Sequence, residues 1–166
     1  MQKVFLGIGG NIGNKQANFE KVYTIIEKEL GKIVLSSSVY ETPPWGFHAD
    51  ENFWNQIILI NTEKSPTELL SKIHEIENLF DRERGANIYT SREMDIDILY
   101  VDDLYIEKET LIIPHPKIQQ RMFVLVPLNE IAPEFKHPLL RLTSFEMLEN
   151  CKDESIVKKV EIKNSK

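Results

Sequence analysis

An α+β fold is predicted from the order of the elements that can be recognised along the 166-residue sequence. Short β-branched runs and longer stripes with helical spacing follow one another as strand, helix, strand, strand, helix, strand. This order is that of a split β-α-β arrangement, in which two helices pack on one face of an antiparallel sheet. We therefore expect residues 1–166 to form a single ferredoxin-like domain, with a frayed tail after about residue 157.

The first half of this pattern begins with KVFLGIGG, an apolar run that predicts a strand. The glycines of GIGGNIGNK are interpreted as turn formers, because neither common phosphate-loop pattern is met. A helical stripe follows from Lys15 to Leu30, and Gly31 is well placed to end it. KIVLSSSVYET and FWNQIILINT predict the second and third strands, on either side of the proline-stiffened loop TPPWGFHADEN.

The second half begins with Ser65, Pro66 and Glu68, which predict the start of a helix that runs to about Phe80. DRERGANIYTSRE has no hydrophobic period and is predicted to be a mobile connection, long enough to serve as a lid. The strand in SREMDIDILY follows, and we expect it to return as a hairpin before IPHP. Prolines break the remainder, where one helix is predicted near residues 144–150 and an edge strand in VKKVEIKNSK.

The composition excludes several classes of protein. A formal net charge of −6 argues against coating nucleic acid or an anionic membrane, although a local arginine cluster could still hold a small anion. Cys151 is the only cysteine, so an intramolecular disulfide and a cysteine-based zinc cluster are impossible. The start of the sequence matches neither a signal peptide nor a membrane span. We therefore expect a cytoplasmic protein that binds neither nucleic acid nor membrane.

Two carboxylates interrupt an otherwise apolar strand. Asp95 and Asp97 share one face, because side chains alternate along a strand, and Met94, Ile96 and Ile98 point to the other face. Carboxylates about 7 Å apart on one strand face can bridge hard cations such as magnesium, together with phosphate oxygens. The alternative interpretation is an exposed strand face on which both acids simply meet water.

Basic residues flank this acid pair in the sequence. Arg82, Arg84 and Arg92 precede it, and His115 and Arg121 follow it. Arginine forks match phosphate oxygens, so the combination predicts a polyphosphate site, although each arginine alone is an ordinary surface charge.

Further candidates lie outside this cluster. His74 and Glu77 are one helical turn apart, so both could face a cleft or merely its rim. Trp45, Phe53 and Asn55 combine stacking surfaces with an amide able to bind the edge of a heterocycle, although Phe53 could as easily belong to the core.

Six motifs in order over about residues 3 to 140 resemble the 6-hydroxymethyl-7,8-dihydropterin pyrophosphokinases of folate biosynthesis: GIGGNIGN, YETPPWG, FWNQ, SREMDIDIL, IPHP and RMFVLVPLNEIAPEF. The resemblance implies a ferredoxin-like fold and transfer of the β,γ-diphosphate of ATP to the hydroxymethyl oxygen of the pterin, with release of AMP. It also implies two magnesium ions, and we expect a monomer. The two mobile stretches would close over the ligands and exclude water.

The same resemblance implies a role for each matching residue. Asp95 and Asp97 would ligate the two magnesium ions. Phosphates would be contacted by Arg82, Arg92, His115 and Arg121, and the catalytic set would be Arg82, Arg92, Asp95 and Asp97. The pterin pocket would be formed by Thr42, Pro43, Pro44, Trp45, Phe53, Asn55 and Phe123. The nucleotide and metal side would also include His74, Glu77, Arg84 and Ile98.

The chain departs from the usual family pattern at five positions: Gly10, Ile88, Thr90, Thr110 and Ile112. One alternative function is another metal-dependent nucleotide enzyme that uses the acid pair, such as a nucleotidyl or glycosyl transferase. A second is a noncatalytic ferredoxin-like RNA-binding module, against which the acidic balance and the absence of an RNP-type run both argue.

Overall fold

The computed structural model describes residues 1–43, 51–81 and 93–161. Its strands are β1 (Gln2–Gly10), β2 (Lys32–Ser36), β3 (Tyr40–Thr42), β4 (Phe53–Thr62), β5 (Asp95–Val101), β6 (Ile106–Lys108), β7 (Leu111–Ile113) and β8 (Lys158–Lys159). Its helices are α1 (Lys15–Glu29), α2 (Pro66–Asp81), α3 (Met122–Ile131) and α4 (Ser144–Asn150), with a 3-10 turn at Ile118–Gln120. Within these ranges, no helix has the length and apolar character needed to cross a membrane.

The main sheet has the strand order β5-β1-β4-β3-β8, and β2 pairs with the other end of β4. Every neighbouring pair in it is antiparallel, which confirms the predicted ferredoxin-like plan. The second predicted strand is divided into β2 and β3. At the division, the Ser37 hydroxyl accepts a hydrogen bond from the Ile57 N–H at 3.0 Å, so a side chain replaces the ladder acceptor and interrupts the strand.

Helices α1 and α2 pack on one face of the sheet, as predicted. Their apolar stripes meet alternate residues of β1, β4 and β5 in one buried cluster, which includes Phe19, Ile73, Leu6, Ile60 and Ile96. Ser65 begins α2 as expected, because its hydroxyl accepts from the Glu68 N–H at 3.2 Å. Helix α1 ends at Glu29 with Leu30 as its C-cap. Gly31 follows, and glycine is needed there because a Cβ would lie 2.2 Å from the Asn61 carbonyl oxygen.

The opposite face of the sheet is covered by α3 and α4, and the sequence did not predict α3. Pro127 lies inside this helix and removes one backbone donor, which costs about 3 kcal/mol. Val124, Leu125 and Leu128 are buried against the sheet and contribute about 1.5–3 kcal/mol each. Burial therefore outweighs the proline, and the region that is proline-broken in sequence is helical.

The predicted return of β5 as a hairpin is wrong. The chain turns at Asp102, which has a φ of 47°, and residues 106–113 fold on themselves as β6 and β7 in a separate two-stranded sheet. The short Glu109-Thr110 connection makes this local pairing possible. Strand β8 pairs with β3 as the predicted edge strand, so the expectation of fraying directly after residue 157 is wrong for residues 158–159. Residues 162–166 of the predicted tail lie outside the described residues.

Candidate active site

The acid pair lies on the sheet face opposite the α1–α2 core. Ile96 and Ile98 belong to that core, so the alternating residues Asp95 and Asp97 point to the α3 side, where both are half-buried. Their partners across the ladder are Gly9 for Asp95 and Gly7 for Asp97. Because glycine has no side chain, the space beside Asp97 is left to Ile57 and Leu99, and the space beside Asp95 is left to the Asn55 amide.

These glycines correct the sequence interpretation, since Gly7 and Gly9 are strand residues and not turn formers. Gly13, with a φ of 76°, forms the turn. A Cβ at Gly9 would lie 2.7 Å from Asn55 Oδ1, whereas one at Gly7 would meet its neighbours at an ordinary 3.6 Å. Gly9 therefore gives Asn55 the space for its side-chain amide.

Asn55 is held by Thr42, which the sequence assigned to the same pocket. Asn55 Nδ2 donates to Thr42 Oγ1 at 2.9 Å, and Thr42 is buried. Asn55 pairs with Gly9 on one side and with Tyr40 on the other, so a single row across the sheet runs from Asp95 to Tyr40. Phe53 pairs with Thr42 two residues further along the strands and is half-buried, and Pro43 beside them is exposed.

Arg121 and His115 are brought to the acid pair from outside the sheet. Burial lowers the pKa of the Arg121 guanidinium, and the charges of Asp97 and Asp95 oppose that effect. Burial, reinforced by the charge of Arg121, lowers the pKa of His115 to about 4, although Asp95 opposes the shift. The structure thus gathers two carboxylates, one guanidinium and one imidazole that is neutral at pH 7.

The proton of this neutral imidazole lies on Nε2. His115 Nδ1 accepts a hydrogen bond from the Lys117 N–H at 3.1 Å, so Nδ1 is the unprotonated nitrogen. His115 is itself anchored by its N–H, which donates to the Leu99 carbonyl at 3.0 Å. Nε2–H is therefore left as a hydrogen-bond donor that carries no full charge.

Phe123 lies beside Arg121 at the start of α3. The Arg121 guanidinium carbon is 5.4 Å from the centre of the Phe123 ring, within cation–π distance. Phe123 is half-buried and packs against the apolar cluster on the α3 side of the sheet.

The far end of α3 is tied to the strand that carries Thr42. Glu130 accepts hydrogen bonds from the Tyr40 hydroxyl at 2.5 Å and from the Ser38 hydroxyl at 3.0 Å. Burial raises the pKa of the Glu130 carboxyl, but the hydrogen bonds from Tyr40 and Ser38 outweigh it and leave that pKa below its usual range. Sequence reasoning missed these residues, because no local motif signals a contact between residues 90 positions apart.

Glu77 lies at the outer edge of β5. Its Oε2 accepts the Ile96 N–H at 3.0 Å, from the residue between the two aspartates. His74, one turn earlier on α2, is exposed. The assignment of Ile98 to the nucleotide side needs correction: its side chain is buried in the α1–α2 core, so only its backbone is available for that role.

Five predicted site residues lie outside the described residues: Pro44, Trp45, Arg82, Arg84 and Arg92. The expected loops TPPWGFHADEN and DRERGANIYTSRE fall largely in the same two gaps.

Magnesium fits the oxygen donors that the acid pair offers. Among the described residues, no group of three or more His, Cys, Asp or Glu side chains forms a complete metal cage. Magnesium in proteins usually takes one or two carboxylates and completes its shell with water and substrate phosphate oxygens. Two half-buried carboxylates on one strand face suit that type of site.

Comparison with protein families gives one match over most of the chain. The sequence model of 7,8-dihydro-6-hydroxymethylpterin-pyrophosphokinase (HPPK) matches residues 5–133.

Several named proteins are similar in sequence. A 2-amino-4-hydroxy-6-hydroxymethyldihydropteridine pyrophosphokinase of Aquifex aeolicus is 38% identical over 141 residues, covering 85% of this chain and 87% of that protein. The enzyme of the same name in Bacillus subtilis is 35% identical, covering 78% of each. Folic acid synthesis protein FOL1 of Dictyostelium discoideum is 38% identical over 87% of this chain, but the match spans only 22% of that longer protein.

Solved structures agree on the fold. The crystal structure of wild-type Plasmodium falciparum HPPK-DHPS with SDX-DHP superposes with a TM-score of 0.72 at 20% identity. The superposition covers 90% of this chain and 43% of that one.

Proposed function

The chain belongs to the 7,8-dihydro-6-hydroxymethylpterin-pyrophosphokinase family, and we propose that the acid pair and the residues around it form its catalytic site. The activity is transfer of diphosphate from ATP to 6-hydroxymethyl-7,8-dihydropterin in folate biosynthesis, with release of AMP. The observation that carries the site assignment is the convergence of Asp95, Asp97, His115 and Arg121 on one sheet face, beside Asn55.

The reaction exchanges one phosphorus–oxygen bond for another. The hydroxymethyl oxygen bonds to the β-phosphorus of ATP, while the bond from that phosphorus to the oxygen bridging the α-phosphorus breaks. AMP leaves with the bridging oxygen, and the hydroxyl proton is released to solvent. No covalent bond to the protein is required, so the protein contributes positioning and electrostatic stabilisation.

On the phosphate side, the described residues supply donors of two kinds. The Arg121 guanidinium offers parallel N–H donors that match the oxygens of a phosphate. His115 contributes a neutral Nε2–H, which binds a phosphate oxygen without bringing a second full positive charge next to Arg121. By resemblance we also assign phosphate contacts to Arg82, Arg84 and Arg92.

We assign the metal site to Asp95 and Asp97, which would hold two magnesium ions. Bound magnesium supplies positive charge that offsets the triphosphate as charge moves towards the leaving oxygen. Asp95 and Asp97 alone would repel a triphosphate, so this assignment accounts for their place beside a phosphate site. Glu77 and the Ile98 backbone stand at the outer edge of the same strand, where we place the nucleotide with His74.

On the pterin side, Asn55 binds the edge of the heterocycle. Its Nδ2 already donates to Thr42, which leaves Oδ1 to accept from the ring N–H and amino groups of a pterin. Phe123 supplies a ring face for stacking, and by resemblance Phe53, Pro43, Pro44 and Trp45 complete the pocket.

We also propose that the protein acts as a monomer in the cytoplasm. Asp95, Asp97, His115 and Arg121 converge within a single copy of the chain, and the single cysteine requires no oxidising compartment. Light scattering of the purified protein with and without substrates tests the first statement, and a mass of two chains would contradict it. Cell fractionation tests the second.

The decisive experiment supplies the purified protein with ATP, magnesium and 6-hydroxymethyl-7,8-dihydropterin, and identifies the nucleotide product by chromatography. We expect AMP in equal amount to pterin diphosphate, and only when magnesium and pterin are both present. Release of ADP, or no turnover by a folded protein, would contradict the proposal.

A further inference from the structure

Residues 151–161 lie outside the region that the family model matches, which ends at residue 133. This segment contacts the fold on both sides of the site. One contact is at the start of α3, next to Arg121, and the other is at the edge of β3, next to Thr42. The segment therefore contacts both the helix that begins after Arg121 and the strand that leads to Thr42.

The first contact is a hydrogen bond from the first residue of α3. The Met122 N–H donates to Asp153 Oδ2 at 3.0 Å. Asp153 Oδ1 in turn accepts from the Ser155 N–H at 2.9 Å and from the Ser155 hydroxyl at 2.6 Å, which fixes the carboxylate in place. The first N–H groups of a helix have no partner within the helix, so Asp153 satisfies one of them from a distant segment.

The residue that caps α3 explains why a distant acceptor is needed. Arg121 occupies the N-cap and makes no side-chain capping hydrogen bond, whereas Ser, Thr, Asn and Asp are the usual residues there. Its guanidinium is instead directed towards the charges of Asp97 and Asp95. Helix α4 is capped in the usual way, by a capping box of two nearby residues, Thr143 and Glu146.

The second contact supports the strand that leads to Thr42. In β8, Lys159 pairs with Tyr40 and Lys158 with Glu41, and the next N–H, that of Val160, donates to the Val39 carbonyl at 2.8 Å. One segment thus holds the strand before Thr42 and the start of the helix that carries Arg121 and Phe123.

We propose that Asp153 is a positioning residue for the diphosphoryl transfer, which acts by capping α3 and so holding Arg121 and Phe123 at the site. The proposal rests on the proposed function of those two residues. Asp153 itself touches neither substrate. A small displacement of groups that align reactants can reduce the rate by about 10²-fold, so loss of one cap is expected to have a measurable kinetic effect.

The test compares Asp153→Ala with Glu146→Ala, a matched control. Both variants lose a carboxylate that accepts a backbone N–H at a helix start, but Glu146 belongs to α4. We expect Asp153→Ala to lower kcat/KM roughly tenfold and Glu146→Ala to leave it near the wild-type value, at a temperature where both are folded. Asp153→Asn keeps one acceptor oxygen of the two and should recover part of the loss.

Amide hydrogen exchange at residues 122–124 gives a readout that is independent of turnover. Exchange there should be faster in Asp153→Ala, unchanged in Glu146→Ala and intermediate in Asp153→Asn. If Asp153→Ala does not fold, Asp153→Asn and Ser155→Ala, which removes one hydroxyl donor to Asp153, replace it with smaller expected effects.

Two results would overturn the inference: equal kinetic losses in Asp153→Ala and Glu146→Ala, or unchanged exchange at residues 122–124 in Asp153→Ala. A wild-type protein that makes no pterin diphosphate would instead refute the proposed function. In that case the exchange experiment still decides whether Asp153 holds the start of α3.

Discussion

The two faces of strand β1 differ sharply. Val4, Leu6 and Ile8 are buried against α1 and α2, whereas the other face carries Phe5, Gly7 and Gly9. Phe5 packs against the α3 side, but from Gly7 onward this face has no side chain, and its neighbours on β5 are carboxylates. One strand thus contributes a continuous core on one side and, on the other, two glycines that lie beside the Asn55 amide and the carboxylates of the site. Stability and chemistry are separated by the alternation of side chains alone.

Among the variants that distinguish the roles of the two faces, Asp97→Ala is expected to have the largest effect on activity. Loss of a metal-ligating carboxylate on the polar face should reduce the rate of AMP formation by about 10²–10³-fold while the protein remains folded. Asp103→Ala, which removes an exposed acid just beyond the same strand, is the control and should keep its activity. Near-normal turnover by Asp97→Ala in magnesium would contradict the assignment of the metal site to this face of the sheet.

On the apolar face, Ile58→Ala should do the reverse. Ile58 is fully buried between the sheet and its two helices, and its truncation should lower the free energy of unfolding by about 2–5 kcal/mol. Denaturant titration measures this loss. Activity assayed well below the unfolding temperature should stay within a few-fold of wild type, and a loss as large as that of Asp97→Ala would show that the faces are not separable.

A comparison of Gly9→Ala with Gly7→Ala, on the face that carries the two aspartates, tests the pterin pocket. The new methyl group at residue 9 would displace the Asn55 amide, so pterin affinity should fall about tenfold with little change in nucleotide affinity. At residue 7 the methyl group has room, and the effect on pterin affinity should be smaller. Titration calorimetry with each ligand measures both constants. Equal pterin affinities in the two variants would contradict the assignment of Gly9 to the pterin pocket.

The smallest effect concerns pH and the α3-side core, where His137 is 4% exposed. Burial lowers the pKa of His137, so below about pH 6.5 the unfolded chain binds a proton that the folded chain does not. The free energy of unfolding should therefore be highest above pH 6.5 and decrease as the pH falls towards the folded-state pKa. His115 contributes in the same direction between pH 6.5 and about 4.

The variant for this test is His137→Asn, because Asn Oδ1 can replace the Nδ1 acceptor of the Leu139 and Leu140 N–H groups. We expect it to reduce the stability difference between pH 7.5 and pH 5 by on the order of 1 kcal/mol. Denaturant midpoints at the two pH values measure the difference. An unchanged pH dependence would show that His137 is protonated equally in both states.

The elements that the sequence predicts are those with strong local signals. Strand β4 has a continuous apolar run, α2 has its cap and stripe, and the alternation around Asp95 and Asp97 places both on one face. Helix α3 is missed because Pro127 argues against it locally, while the packing that stabilises it comes from distant strands.

The same distinction holds within the site. Asn55 and Arg121 can be proposed from residue chemistry and from the resemblance, but their arrangement depends on strand register and on contacts between distant segments. From the sequence alone, Gly9 is interpreted as a turn residue. The side chain that requires glycine at this position, Asn55, lies on another strand and gives no local signal. Asp153 and Glu130 have no local signal at all, since each acts on an element far away in sequence.

Carboxylate hydrogen bonds connect both ends of helix α3 to distant segments of the chain. Asp153 holds its first residue, Met122, and near its last turn Glu130 is bound to Ser38 and Tyr40. A ten-residue helix is about 15 Å long and rigid. A displacement of one of its ends therefore moves the other end, whereas a loop would change conformation instead. Moving β3 to fit a larger acceptor would therefore also shift Arg121, and the two halves of the site cannot be redesigned independently.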